Sequence, residues 1–178
     1  MNVPNAITIL RILSIPAFTI CLLYNHHLSA LIIFVGAGIS DALDGLIAKA
    51  WNQRTTLGAH LDPIADKLLL ATAFVALALM RIIPYWLTVL VIARDIIILL
   101  GFVILILTSH TVDVKPTLTS KVNTVFQIMT VTGALLTPYH PSMSTLLYYL
   151  IWSTAILTCM SGLHYLYIGS RVIENKGG

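Results

Sequence analysis

The sequence predicts an all-α integral membrane protein with six transmembrane helices. Of its 178 residues, 58% are hydrophobic and 10% are charged, whereas a soluble domain carries roughly 25% charged residues. A 19.5 kDa chain with a mean hydropathy of +0.92 cannot bury so many apolar side chains, because a small domain exposes a large share of its surface. Two cysteines are too few for a disulfide scaffold. We therefore expect lipid to be the solvent.

Six apolar stretches are each long enough to cross a bilayer, which takes about 20 helical residues. The connections between them are short, so we expect one transmembrane domain over residues 1–178. The first stretch has no basic segment before it and no small-residue cleavage site after it, which indicates a retained helix rather than a removed signal. The predicted spans are 7–24, 28–48, 63–80, 84–109, 120–138 and 144–170.

Lysine and arginine are concentrated on one side of this predicted bundle. The opposite side carries Arg81 alone. Because basic loops stay in the cytoplasm, both termini and the even-numbered connections are predicted to face it. The net charge of +3 is then a signal of topology, and we expect no nucleic-acid partner. The basic residues on the predicted cytoplasmic side are Arg11, Lys49, Arg54, Lys115, Lys121, Arg171 and Lys176.

The acidic residues form the central feature of the sequence. Only seven exist, and four of them, Asp41, Asp44, Asp62 and Asp66, fall within 26 positions. The first two are three apart near the end of the second helix, and the other two are four apart near the start of the third, so each pair shares a helix face. A carboxylate within a membrane helix costs about 2.5 to 3.5 kcal/mol even on the lenient scale. Something positive must offset four of them.

A metal site is the favoured explanation of this cluster. Lys49 and Lys67 can neutralise two carboxylates, but compact sets of oxygen donors suit hard dications such as Mg²⁺, Mn²⁺ or Ca²⁺. A structural alternative exists for Asp62, which precedes Pro63 in the manner of a helix N-cap. That alternative does not account for the other three carboxylates.

Small residues accompany the acids. Gly36, Ala37 and Gly38 are typical of close helix packing in lipid. Gly45 and Ala48 lie within about one helical turn of Asp44. They can leave a groove in which a phosphorylated ligand lies against the backbone.

The spacing of these residues resembles the signature of the CDP-alcohol phosphatidyltransferase family. It matches the family pattern at every position but one, Lys49, where the family has arginine; the charge is kept but the planar fork is lost. The motif consists of Asp41-x-x-Asp44-Gly45-x-x-Ala48-Lys49, eight residues, and Gly58-x-x-x-Asp62-x-x-x-Asp66.

Other segments extend the resemblance over most of the chain. Pro4-Asn5-x-x-Thr8-x-x-Arg11 resembles the opening of the phosphatidylglycerophosphate synthase and CMP-forming cardiolipin synthase branches. Thr8 and Arg11 can present a hydroxyl and a guanidinium group to phosphate, although Arg11 alone is also explained by snorkelling to the interface. The stretches 51–54, 61–67 and 115–124 are most similar to the cardiolipin synthase branch.

The resemblance implies a six-helix bundle, a homodimer and two divalent cations, Mg²⁺ or Mn²⁺, at the cytoplasmic face. Carried over, the metal ligands are Asp41, Asp44, Asp62 and Asp66. Asp66 is also implied to be the general base that takes a proton from the acceptor hydroxyl.

Several residues are predicted to hold the anionic lipid substrates. Lys121, with Asn123 nearby, is the best candidate for an acceptor phosphate. Arg94 lies within the fourth apolar stretch beside Asp95, and charges there face the bundle interior, where Arg94 either borders the site or forms a structural pair. The full set of predicted substrate-binding residues is Asn5, Thr8, Arg11, Gly45, Ala48, Lys49, Arg54, Gly58, Arg94, Lys121 and Asn123.

The favoured hypothesis is a phosphatidyltransferase of the bacterial cytoplasmic membrane that converts CDP-diacylglycerol and phosphatidylglycerol to cardiolipin and CMP. Glycerol 3-phosphate is the alternative acceptor, giving phosphatidylglycerophosphate. A divalent-cation transporter is the alternative of another class. It predicts acidic residues spread through the membrane depth, whereas here they cluster toward one face.

Overall fold

The computed structural model is all-helical over the residues that it describes. Those are 3–51, 56–107 and 118–174 for the backbone, and 11–40, 67–101 and 118–167 for the side chains. Within these ranges there is no strand, and six helices follow in the predicted order. They are α1 (Val3–Leu23), α2 (His27–Trp51), α3 (Thr56–Leu79), α4 (Tyr85–Leu107), α5 (Leu118–Leu136) and α6 (Ser142–Glu174).

The connections at one end of the bundle are tight turns. Asn25 after α1 and Arg81 after α3 both have a φ of 59°, the left-handed region that lets a helix stop abruptly. The backbone N–H of Leu28, at the start of α2, donates to the hydroxyl of Tyr139 at 3.0 Å. This bond joins the α1–α2 turn to the α5–α6 turn, so the first and fifth connections lie at the same end, as an up-and-down bundle requires.

The six helices pack around one apolar core. α5 and α6 form the most extensive pair, α1 packs on α2 and α3, α4 packs on α6 and α3, and α5 also contacts α2 and α3. The rings of Phe18 and Phe34 meet at 5.9 Å between centroids and close the α1–α2 contact. The largest fully buried apolar side chains are Phe18, Phe74, Leu22, Leu77, Leu87, Leu135, Val91 and Val131.

The polarity of the bundle is inverted relative to a soluble protein. Many large apolar side chains lie on its outside, and some of them, such as Leu13, Ile32, Leu79 and Val89, are 60% exposed or more. A monomeric soluble protein rarely exposes a contiguous apolar surface larger than a few hundred Å². The buried polar side chains, by contrast, are Arg11, Thr88, Arg94, Asn123, Gln127, Thr130, Thr154, Thr158 and Ser161.

Membrane-spanning length is seen directly for one helical segment of the described ranges. Ser142–Tyr167 of α6 is long and apolar enough to cross a bilayer. The apolar segments Arg11–Leu23, His27–Ser40 and Lys67–Leu79 are shorter than a span over the described residues.

Gly133 is a close-packing point between α5 and α6. A Cβ atom there would lie 3.2 Å from Cδ1 of Leu150 and 4.0 Å from that of Leu147. We expect Gly133→Leu to cost about 1 to 3 kcal/mol through overpacking, seen as a lower melting temperature of the purified protein in detergent. Gly101→Leu is the control, because a Cβ at Gly101 meets nothing within 4 Å. Equal melting temperatures for the two variants would contradict this account of the interface.

Candidate functional site

The four aspartates of the signature all lie within helices. Asp41 and Asp44 belong to the second half of α2, which continues to Trp51. Asp62 and Asp66 belong to α3, which begins at Thr56, well before the predicted start at residue 63. The N-cap alternative for Asp62 is therefore wrong, because Asp62 follows the first helical residue by almost two turns. Residues 56–61 continue the helix ahead of Pro63, and proline is tolerated within helices that pack against neighbours in lipid.

The donor atoms of the signature fall outside the described side chains. This applies to Asp41, Asp44, Asp62 and Asp66, so their convergence on metal remains a prediction. Arg54 also lies outside the described backbone. The other predicted residues placed on helices without a described side chain are Asn5, Thr8, Gly45, Ala48, Lys49 and Gly58.

The chemistry of these positions fits hard dications. They offer carboxylate oxygens at spacings of three and four on two helices that contact each other. Among the side chains that the structure describes, no three His, Cys, Asp or Glu groups come together as an alternative centre. That Asp41, Asp44, Asp62 and Asp66 hold metals stays a prediction from the motif.

Arg11 lies inside the bundle. It is 2% exposed, and its three guanidinium nitrogens are shielded from solvent. It lines a cavity of about 200 Å³ between α1 and α2 together with Ser14, Ile33 and Ser40, where the neighbouring Gly36 is exposed. This placement argues against snorkelling, because a snorkelling guanidinium extends to the interface. The role of Arg11 in binding phosphate stays a prediction.

Arg94 is 5% exposed and contacts α5 and α6 as well as its own helix, so it faces the bundle interior. Its Nη1 donates to Oδ1 of Asp95 at 2.7 Å, and its Nη2 donates to the hydroxyls of Ser120 and Ser161 at 2.6 Å each. Nζ of Lys67 lies 3.1 Å from the same Asp95 oxygen. The planar guanidinium group of Arg94 therefore joins α4 to α5 and α6. Asp95 joins α4 to α3 through Lys67.

The predicted residues of α5 point in different directions. Lys121 is exposed, whereas Asn123 is fully buried and its Oδ1 accepts a hydrogen bond from Thr158 at 2.9 Å. The structure therefore does not bring these two side chains together. The exposed ammonium group of Lys121 remains available to a substrate, and Asn123 takes part in helix packing.

A polar seam runs between α5 and α6, which the sequence analysis did not single out. The hydroxyls of Thr130 and Thr154 are 2.8 Å apart. Like the bond between Asn123 and Thr158, this is a hydrogen bond between side chains of α5 and α6. The signal was present in the sequence, because polar residues recur on α5 three or four positions apart. Their partners on α6 follow the same period. The seam consists of Ser120, Asn123, Gln127 and Thr130 on α5 with Thr154, Thr158 and Ser161 on α6.

The seam yields a stability test. We expect Thr158→Val to cost about 1 kcal/mol, within the range measured for hydrogen bonds between membrane helices, because it leaves the Asn123 carbonyl unpaired. Thr145→Val is the matched control, since Thr145 is exposed on the same helix. Thermal unfolding in detergent measures both. An unchanged melting temperature for Thr158→Val would show that the bond adds nothing to stability.

Comparison with known proteins agrees with the motif. The family model described as CDP-alcohol phosphatidyltransferase matches residues 1–160. The human cardiolipin synthase (CMP-forming) is 32% identical over 97% of this chain and 63% of its own length. A Mycobacterium tuberculosis protein named "Probable phosphatidylglycerophosphate synthase" is 31% identical over 99% of this chain and 84% of its own.

A shorter alignment has a higher sequence identity. The CDP-diacylglycerol–glycerol-3-phosphate 3-phosphatidyltransferase of Pseudomonas fluorescens is 48% identical over 43% of this chain and 41% of its own length. The chain thus spans about 63% of the human relative and less than half of the Pseudomonas one in these alignments. Since the family model covers nearly the whole chain, the protein belongs to the CDP-alcohol phosphatidyltransferase family.

Proposed function

We propose that this protein is a divalent-metal-dependent phosphatidyltransferase that makes cardiolipin and CMP from CDP-diacylglycerol and phosphatidylglycerol. The observation that carries the proposal is the complete acidic signature placed on two contacting helices, α2 and α3. With Asp62 inside α3 rather than capping it, all four carboxylates belong to helix faces and none has a capping role to explain it. Residues 1–178 then form a single catalytic domain.

Asp41, Asp44, Asp62 and Asp66 would hold two divalent cations, Mg²⁺ or Mn²⁺. When bound, such cations neutralise the diphosphate of the substrate and stabilise charge on the attacking and leaving oxygens. Gly45, Ala48 and Gly58 leave room for the nucleotide beside them. The basic side chains of Lys49, Arg54 and Arg11 supply countercharge to the phosphates.

Asp66 would act as the general base. It takes the proton of the acceptor hydroxyl, whose oxygen attacks the phosphorus that bears diacylglycerol. A new P–O bond forms to the acceptor, and the bond from that phosphorus to the bridging oxygen breaks. The electron pair leaves with CMP. Lys121 and Arg94 border the acceptor side in this proposal, with Asn123 holding α5 in place beside α6.

The inverted polarity of the bundle supports membrane embedding. An exterior of exposed leucine, isoleucine and valine matches lipid, and the buried seam keeps polar groups away from it. The positive-inside bias supports a cytoplasmic site and cytoplasmic termini in a bacterial inner membrane. We extend the proposal to six membrane-spanning helices and to a homodimer, which the family resemblance implies.

Two observations support a lipid as the acceptor. The Arg11 cavity is lined by Ile32 and Gly36, two exposed residues of α2, as access from the bilayer requires. Relatives named cardiolipin synthase match along nearly the whole chain. Glycerol 3-phosphate remains the second candidate, because relatives named for phosphatidylglycerophosphate synthesis match equally far.

An acceptor panel tests the proposal. Purified protein is incubated with CDP-diacylglycerol and Mg²⁺ or Mn²⁺, and CMP release is followed with phosphatidylglycerol or glycerol 3-phosphate. We expect release with phosphatidylglycerol and loss of release with EDTA. Release with glycerol 3-phosphate alone would move the assignment to the second candidate. Cation flux in proteoliposomes without CMP formation would favour a transporter.

The base is tested by Asp66→Asn. We expect turnover to fall by about 10²- to 10⁴-fold, the usual contribution of a general base, while metal-dependent CDP-diacylglycerol binding is largely kept. Glu174→Gln, at the end of α6, is the control and should leave turnover unchanged. Retained activity in Asp66→Asn would remove Asp66 from this role.

A further inference from the structure

A charge network lies beside the signature without being part of it. Nζ of Lys67 on α3 lies 3.1 Å from Oδ1 of Asp95 on α4, and the same oxygen accepts from Nη1 of Arg94 at 2.7 Å. Two cations thus share one carboxylate oxygen. The acid that holds them belongs to a helix that carries no residue of the motif.

The two cations depend on Asp95 to different degrees. Arg94 is 5% exposed and is also held by the hydroxyls of Ser120 and Ser161, with the ring of Tyr165 5.9 Å away. The Lys67 side chain is 39% exposed, and its contact within the described side chains is Asp95. Loss of the Asp95 carboxylate would therefore leave Arg94 in place and release Lys67.

A released Lys67 ammonium group would be close to the predicted metal ligands. Lys67 directly follows Asp66 in α3, about 1.5 Å further along the helix axis and about 100° around it, so its ammonium group comes near the Asp62–Asp66 face only through the length of the lysine stem. Lysine is a compact charge on a flexible four-carbon stem. In a membrane bundle an unpaired charge is costly, so it turns to the nearest anion. Asp62 and Asp66 offer such anions at the same end of α3.

We propose that Asp95 is a positioning residue that tethers and neutralises Lys67, and so keeps this ammonium group from occupying or repelling cations at the signature carboxylates. The inference rests on the proposed function, because it takes those carboxylates to be metal ligands. Asp95 touches neither substrate nor metal in this role. It acts through Lys67, by giving the cation a partner on α4.

Direct Mn²⁺ binding by the full-length protein in detergent is the test, read from the electron paramagnetic resonance signal of free Mn²⁺. We expect Asp95→Asn to weaken Mn²⁺ binding at least tenfold, since it frees one positive charge beside the site. The double variant Lys67→Met/Asp95→Asn should bind within threefold of the wild type, because the freed charge is gone. Asp95→Glu should also bind within threefold.

A matched control separates positioning from general loss of structure. Thr88 also joins α4 to α3, by donating from Oγ1 to the carbonyl of Phe74 at 3.2 Å, but it lies almost two turns from Asp95 along α4. Thr88→Val should lower the melting temperature and leave Mn²⁺ binding unchanged. A purely structural role for Asp95 predicts that the double variant binds as weakly as Asp95→Asn, and that result would overturn the proposal.

Lys67→Met provides a test that does not require Asp95→Asn to fold. We expect Mn²⁺ binding within threefold of the wild type, because Arg94 still pairs with Asp95. A tenfold loss of Mn²⁺ binding in Lys67→Met would mean that Lys67 supports the metal site. Unchanged Mn²⁺ binding in Asp95→Asn would mean that the freed Lys67 does not disturb this site. Either result overturns the inference.

Failure of the proposed function has a different signature. Mn²⁺ binding by the wild type and its loss in Asp62→Asn test the metal site without reference to Asp95. A wild type that binds no Mn²⁺ overturns both proposals. When the wild type binds Mn²⁺ and releases CMP, the Asp95 and Lys67 variants decide the positioning role alone.

Discussion

Most of the polar side chains described inside this bundle pair within the protein, because the surface around them is apolar; Nδ2 of Asn123 and Nε2 of Gln127 are buried without a hydrogen-bond partner among the described residues. Leucine, isoleucine and valine are exposed on the outside of the described helices, so a charge buried between them has little access to water. At Asp95, the carboxylate pairs with Arg94, whose guanidinium group also donates to the hydroxyls of Ser120 and Ser161. Removal of the Asp95 carboxylate would leave the buried Arg94 guanidinium without its counter-charge, which is destabilising for a buried ion.

The helices differ in which polar groups they carry. α2 and α3 carry the acidic signature, and α1 packs against both. α1 also carries the buried Arg11. α5 and α6 hold each other through the hydroxyl and amide seam and through close contact at Gly133. α4 has no signature residue. It connects the two groups through Arg94 and Asp95, so a helix outside the motif helps to fix where α3 lies relative to α5.

The family resemblance and the structure support each other at Asp62. On sequence grounds an aspartate before a proline is also a common helix start, and nothing local distinguishes a cap from a ligand. The start of α3 at Thr56 removes the capping role, because the backbone N–H groups around Asp62 already belong to helical turns. The metal role of Asp62 therefore stands as the prediction that the motif makes, without a capping role as its alternative.

The sequence by itself determined the helix count, their order, and the acidic signature that places the chain in its family. These features are local: a run of apolar residues of spanning length, or a fixed spacing along one helix, needs no partner to be recognised. Tertiary structure decided where α3 begins, that Asn123 is the buried one of the pair with Lys121, and that Lys67 and Asp95 meet. Those outcomes depend on which helices are neighbours and how each is rotated. Pairing between residues 28 positions apart is a property of packing, which no single segment of the sequence encodes.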